Sequence, residues 1–151
     1  MPEEFYRSGF AEDKRLAEER SENFRGTVRV NLRRLAFAPE CSREIDRKNV
    51  ERLKKIFSKP NGCRRLSPSN CIPAIIDQQD LDLAIQSTGT TLKKLLDSPE
   101  HEPPMLKLPP DYFLHCLHGQ HRILAALKVL KPGDEWWTVH LYLSGLFLAS
   151  F

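Results

Sequence analysis

The sequence predicts a single α+β domain with a small mixed sheet and packed helices. Three observations predict it. The chain has 151 residues with 40% hydrophobic and 28% charged side chains, enough for one core and too apolar for wholesale disorder. Period-two apolar patterns and period-3.6 patterns both occur, and they follow one another along the chain. Turn residues, among them 11 Pro and 7 Gly, punctuate the segments without any low-complexity tract or internal repeat.

Residues 1–25 read as a charged N-terminal arm. Its helical stretch, 11–23, has Leu16 as its one strong apolar residue and so has little face to bury. Gly26 opens a strand in which Val28, Val30 and Leu32 alternate with Arg29, Asn31 and Arg33. From Asp46 to Ser58 the apolar residues Val50, Leu53, Ile56 and Phe57 share one helical face, with Asp46 as N-cap and Pro60-Asn61-Gly62 as a stop. Ile72 to Ile76 is a β-branched strand, which Pro73 places at a strand start or a sheet edge. Helices follow at 81–87 and 91–97, broken at Gly89, and the proline-rich 99–110 is a connection. Tyr112 to Leu117 is a strand, His118 to Gln120 a turn, and 121–130 a helix with Ile123, Leu124, Leu127 and Leu130 on one face. Trp137, Val139, Leu141 and Leu143 alternate in a last strand; Trp137 is expected in the core, and Trp136 outside it is a candidate stacking surface. The domain is expected to span 26–143. The apolar stretch 144–151 lacks a polar turn and reads as an aberrant end, as of a truncated or mis-spliced product.

Several function classes drop out. No apolar run reaches the roughly 18 residues of a membrane span, and the acidic start, Met1 to Phe5, has no signal-peptide core. An intracellular protein, cytoplasmic or nuclear and not secreted, is expected. Cys41, Cys63, Cys71 and Cys116 form no Cys-x-x-Cys pair and read as free thiols. His115, His118 and His121 are spaced three apart, but Gly119 and the strand before it break any shared helical face, so no metal site is assigned.

Charge is uneven. The formal net charge is +3, yet residues 25–65 carry thirteen bases against four acids. Arg47, Lys48, Arg52, Lys55 and Lys59, with Arg64 and Arg65 in the following loop, are candidate nucleic-acid contacts through phosphate neutralisation. A solvated helix face, with Glu51 near Lys54, is the other reading of the same residues.

The informative motif is the run from Leu114 to Leu130. A strand enters Gly119, and Gln120, His121 and Arg122 start a helix at once. Helix N-termini offer unpaired N–H groups and the positive end of the dipole, and arginine offers a planar fork to phosphate oxygens. Gly119, Gln120, His121 and Arg122 are therefore the candidate phosphate cradle.

Gly119-x-His121-Arg122 before an apolar, alanine-containing helix resembles the signature of the ParB/sulfiredoxin superfamily. The strand 28–32, Asn49-Val50-x-x-Leu53 and the strand 72–76 fit the same order upstream, so the resemblance covers roughly 26–143. It implies a loop that binds nucleotide phosphates, with a nucleotide triphosphate and Mg as the implied ligand. Cys116 to Ile123 together with Trp136-Trp137-Thr138-Val139 is also similar to an uncharacterised family of fungal proteins that carries this module at the N-terminus of longer chains. Gln120 falls where sulfiredoxins hold their catalytic cysteine, and glutamine is no nucleophile, so sulfiredoxin activity is not expected. Triphosphate hydrolysis stays open, with Asp111 and Asp134 as the acids to examine. Three readings stand: a nucleotide- or phosphate-binding module, a nucleic-acid-associated module using the basic region, and an interaction domain with no ligand.

Overall fold

The computed structural model describes residues 21–37, 44–97 and 102–144. The arm at 1–20, Cys41 and the apolar end at 145–151 lie outside the described residues. Among those described, five strands form one mixed sheet: β1 Phe24–Asn31, β2 Leu35–Phe37, β3 Ile72–Ile76, β4 Leu114–Cys116 and β5 Trp136–Leu143. Their spatial order is β1-β5-β3-β4-β2. β1 is antiparallel to β5 and β3 to β4, while β3 runs parallel to β5 and β2 to β4. The described α-helices are α1 Arg47–Phe57, α2 Gln78–Thr88, α3 Leu92–Leu96 and α4 Gln120–Val129. The chain is thus a small α+β domain with a mixed sheet and packed helices. No helix among the described residues is long and apolar enough to cross a membrane.

The core grows from the alternating patterns. Register sets Val28 opposite Val139 and Val30 opposite Trp137, and Ile72 and Ala74 beside Val139 and Leu141. These side chains are buried, together with Leu81 and Ala84 of α2, Leu95 of α3, and Ile123 and Ala126 of α4. Trp137 is fully buried. Its indole N–H donates to the Asn70 carbonyl at 2.9 Å, and its ring lies 5.5 Å from that of Phe57. One side chain therefore ties α1 and the loop before β3 to the sheet, with its polar atom satisfied.

Of the two places that the sequence allows Pro73, a strand start or a sheet edge, it takes the first: β3 lies between β5 and β4. The position tolerates proline because it is the second residue of the strand, and its carbonyl still accepts from the Leu117 N–H at 2.9 Å. The first strand is followed by a second that the pattern does not mark. The chain turns through a 3-10 segment, Leu32–Arg34, stabilised by Asn31 Oδ1 accepting from the Arg33 N–H. β2 then pairs with β4.

α1 follows its sequence signals closely. The Asp46 carboxylate accepts from the N–H groups of Lys48 and Asn49 at 3.0 and 3.3 Å, the N-cap geometry that satisfies otherwise orphaned donors. α2 stops at Gly89, whose φ of 75° is left-handed and lets its N–H return to the Ile85 carbonyl.

Candidate functional site

The site is built where β4 hands over to α4. Gly119 has a φ of 99°, a region that L side chains rarely adopt. A Cβ there would also come within 2.8 Å of Ile72 Cγ1. Glycine is therefore demanded by the fold itself, independently of any ligand. It is the N-cap of α4 and brings no side chain to cap the first turn. The first N–H groups of α4 keep the anion-attracting character of an open helix start.

This turn faces α1 across a cleft of about 500 Å³. Its walls are Asn49, Arg52 and Leu53 of α1 and residues His118 to Arg122. All four residues of the expected cradle, Gly119, Gln120, His121 and Arg122, line it. Among the described residues, two arginines and two histidines line this space and no carboxylate does, so its chemistry suits an anion. Arg52, read from the sequence as part of a nucleic-acid face, also belongs to this wall. Its Nη2 and Nε donate to Asn49 Oδ1 at 2.7 and 3.2 Å, which holds the guanidinium against α1. The sequence reading does not assign Asn49 to the site. The signal was its i, i+3 spacing from Arg52, which puts both on one helix face.

His121 has a second duty. Its Nε2 accepts from the Asp46 N–H at 2.9 Å, which leaves the ring proton on Nδ1. The bond ties the first turn of α4 to the start of α1. Gln120 Oε1 is buried with no hydrogen-bond partner, a group that a donor on a bound molecule or a side-chain rearrangement would satisfy.

The thiol nearest the turn is unsuited to chemistry. Cys116 is buried, and burial pushes its thiol up to about 12, partly countered by a hydrogen bond from the Ala36 backbone. A thiolate is the nucleophilic form, so Cys116 is inert near neutral pH. Burial likewise raises Cys63, against the lowering influence of Arg65.

The other sequence-predicted residues separate. Arg47, Lys48, Lys55 and Lys59 stand exposed along α1 and just past it. Arg64 has a left-handed φ of 42° in the loop after α1 and is exposed. Arg65 turns inward: its Nη2 is 2.7 Å from Asp134 Oδ1, and its side chain is 14% exposed. Its guanidinium also lies 3.5 Å from the centre of the Trp136 ring, with Arg29 at 5.2 Å. Trp136 is thus already stacked by the protein's own arginines. Neither Asp111 nor Asp134 lines the cleft. Asp134 holds Arg65 and the Trp136 indole N–H instead. His115 is exposed on β4, and no group of three or more potential ligands gathers around a metal-sized space among the described residues.

Residues 23–149 match the model of a family described as "Protein of unknown function (DUF3723) N-terminal domain". The chain belongs to this family. No curated protein and no solved structure gives a significant match. Within this DUF3723 N-terminal domain the cleft, Trp137 and the whole described sheet fall inside the matched span.

Proposed function

We propose that this domain is a nucleotide- or phosphate-binding module of the ParB/sulfiredoxin-like kind, with its ligand in the cleft between α1 and the start of α4. The observation that carries the reading is the composition of that cleft: Arg52 and Arg122 with the uncapped first turn of α4, and no opposing carboxylate among the described residues. The phosphates sit against the N–H groups that follow Gly119, and Arg122 and Arg52 close on them from two elements. Cations in such a concave site reinforce one another more than they would on a flat surface. Mg would enter bound to the triphosphate, since no carboxylate lines the cleft among the described residues. The lining also holds no carboxylate base, and His121 Nε2 is engaged by Asp46. The reading is therefore binding, with no step of hydrolysis assigned, and Gln120 and the buried Cys116 argue against sulfiredoxin chemistry. An intracellular setting, cytoplasmic or nuclear, accompanies a nucleotide ligand.

Isothermal calorimetry with ATP, CTP, GTP and inorganic phosphate, each with and without magnesium, tests this. At least one nucleotide is expected to bind, and Arg122→Ala and Arg52→Ala are each expected to weaken it tenfold or more, about 1.4 kcal/mol. Folded protein that binds none of them, or variants that bind as well as wild type, would overturn the reading.

A further inference from the structure

The outward face of α1 carries a feature that the cleft shares only through Arg52. Lys48, Arg52 and Lys55 succeed one another at intervals of four and three residues, the spacing of a single stripe on a helix, and Lys59 continues the row just past the helix end. At 1.5 Å per residue the helical part of the row, Lys48 to Lys55, runs roughly 10 Å. Together with Arg47, Ile56 and one acid, Glu51, these residues line one shallow groove on the surface. Lys48, Lys55 and Lys59 are exposed, and none of them has an ion pair among the described residues. The acid of this face, Glu51, is turned to Lys54 at 3.3 Å. Like charges one helical turn apart repel, and one acid, Glu51, stands among five cations in the groove, so the row keeps an excess of positive charge for an outside anion.

We propose that the stripe Lys48–Arg52–Lys55–Lys59 docks on the phosphate backbone of duplex nucleic acid. The charge complementarity is linear: cations repeat every 4.5–6 Å along a line, where a duplex offers regularly repeating phosphates. A free nucleotide is too short to engage the whole row. A lipid surface fits less well, because the apolar residues of α1 are spent inward: Val50 is buried, and Leu53 and Phe57 are half-buried, which leaves little to insert between headgroups. A single strand fits less well too, because among the described residues no aromatic side chain lines the groove to stack a base. Contacts confined to phosphates position a duplex without reading its sequence.

Fluorescence anisotropy of the 151-residue chain with a labelled 20-base-pair duplex tests the proposal. Binding at 50 mM salt is expected, with a slope of log K against log salt of about −3.6 for four phosphates, roughly a hundredfold loss by 200 mM. Two unrelated duplex sequences are expected to bind alike. The combined substitution Lys48→Gln, Lys55→Gln, Lys59→Gln is expected to flatten the slope to about −1. These three lysines lie outside the cleft lining, so a triphosphate titration of the same variant is expected to match wild type whether or not a nucleotide binds. No duplex binding at 50 mM, an unchanged slope in the triple variant, tighter binding of the single strand, or binding only to anionic vesicles would each overturn the proposal.

Discussion

The arginines around the sheet and the lysines of α1 come from one basic stretch, residues 25–65, yet the fold treats them differently. Arg29 Nε donates to the Pro103 carbonyl at 2.7 Å, and Arg33 pairs with Glu135 at 3.0 Å. Arg34 reaches the carbonyls of Pro109 and Tyr112, and Arg65 takes Asp134 and the face of Trp136. Lys48, Lys55 and Lys59 hold no such partner among the described residues. The difference follows side-chain chemistry. A guanidinium is planar, weakly hydrated and built to bridge carbonyls or stack on rings, whereas an ammonium is compact and keeps its water. A segment's net charge therefore overstates the field it offers a ligand: here the arginines outside α1 mostly serve as internal ties, and the external field comes from α1.

The sharpest way to break this division is to remove an internal tie. Arg34→Ala strips a donor fork from the Pro109 and Tyr112 carbonyls beside the turn into β4, of which Pro109 keeps the Tyr112 N–H. A loss of about 2–3 kcal/mol is expected in urea unfolding, the scale of several charge-assisted bonds to part-buried carbonyls. Arg65→Ala comes next. It breaks the pair with Asp134, frees two backbone carbonyls and uncovers Trp136. About 1–2 kcal/mol is expected, with a change in tryptophan emission as solvent reaches Trp136. Arg65→Lys is expected to recover less than half of this, since an ammonium cannot both fork and stack. Unfolding midpoints indistinguishable from wild type would erase the distinction between the two groups.

What could be read from the sequence follows the range of the interactions. α1 is legible because everything that makes it is local: the apolar spacing from Val50 to Phe57 and the Asp46 cap. β3 is legible as a run, Ile72–Ile76. Its central position is not, because that depends on β4 and β5 arriving from far along the chain. β2 is three residues long and exists only as a partner of Leu114–Cys116, so no periodicity could reveal it. At the site, the turn at Gly119 was legible from the glycine and the helix behind it. The opposite wall, Asn49 and Arg52, was not, since it requires α1 to pack beside α4. The fate of Arg65 was hidden for the same reason: its acid, Asp134, is 69 positions away.

The smallest expected effect is the most discriminating. Lys48→Gln, Lys55→Gln, Lys59→Gln together remove three charges, as many as the whole formal net charge of +3. If these lysines stabilise the fold, their loss should resemble that of the arginines. Exposed charges without partners contribute little, and glutamine matches lysine in helix propensity. Relief of repulsion along the stripe acts in the opposite direction, by about 0.2–0.5 kcal/mol for each like pair one turn apart. Stability within about 0.5 kcal/mol of wild type, or slightly above it, is therefore expected in urea unfolding. The gain should shrink as salt is raised, because screening weakens the repulsion that the substitution removes. A clear loss of stability would mean that the lysines, like the arginines, are part of what holds the domain together. An unchanged or higher stability would leave the α1 row as charge the fold does not need for itself.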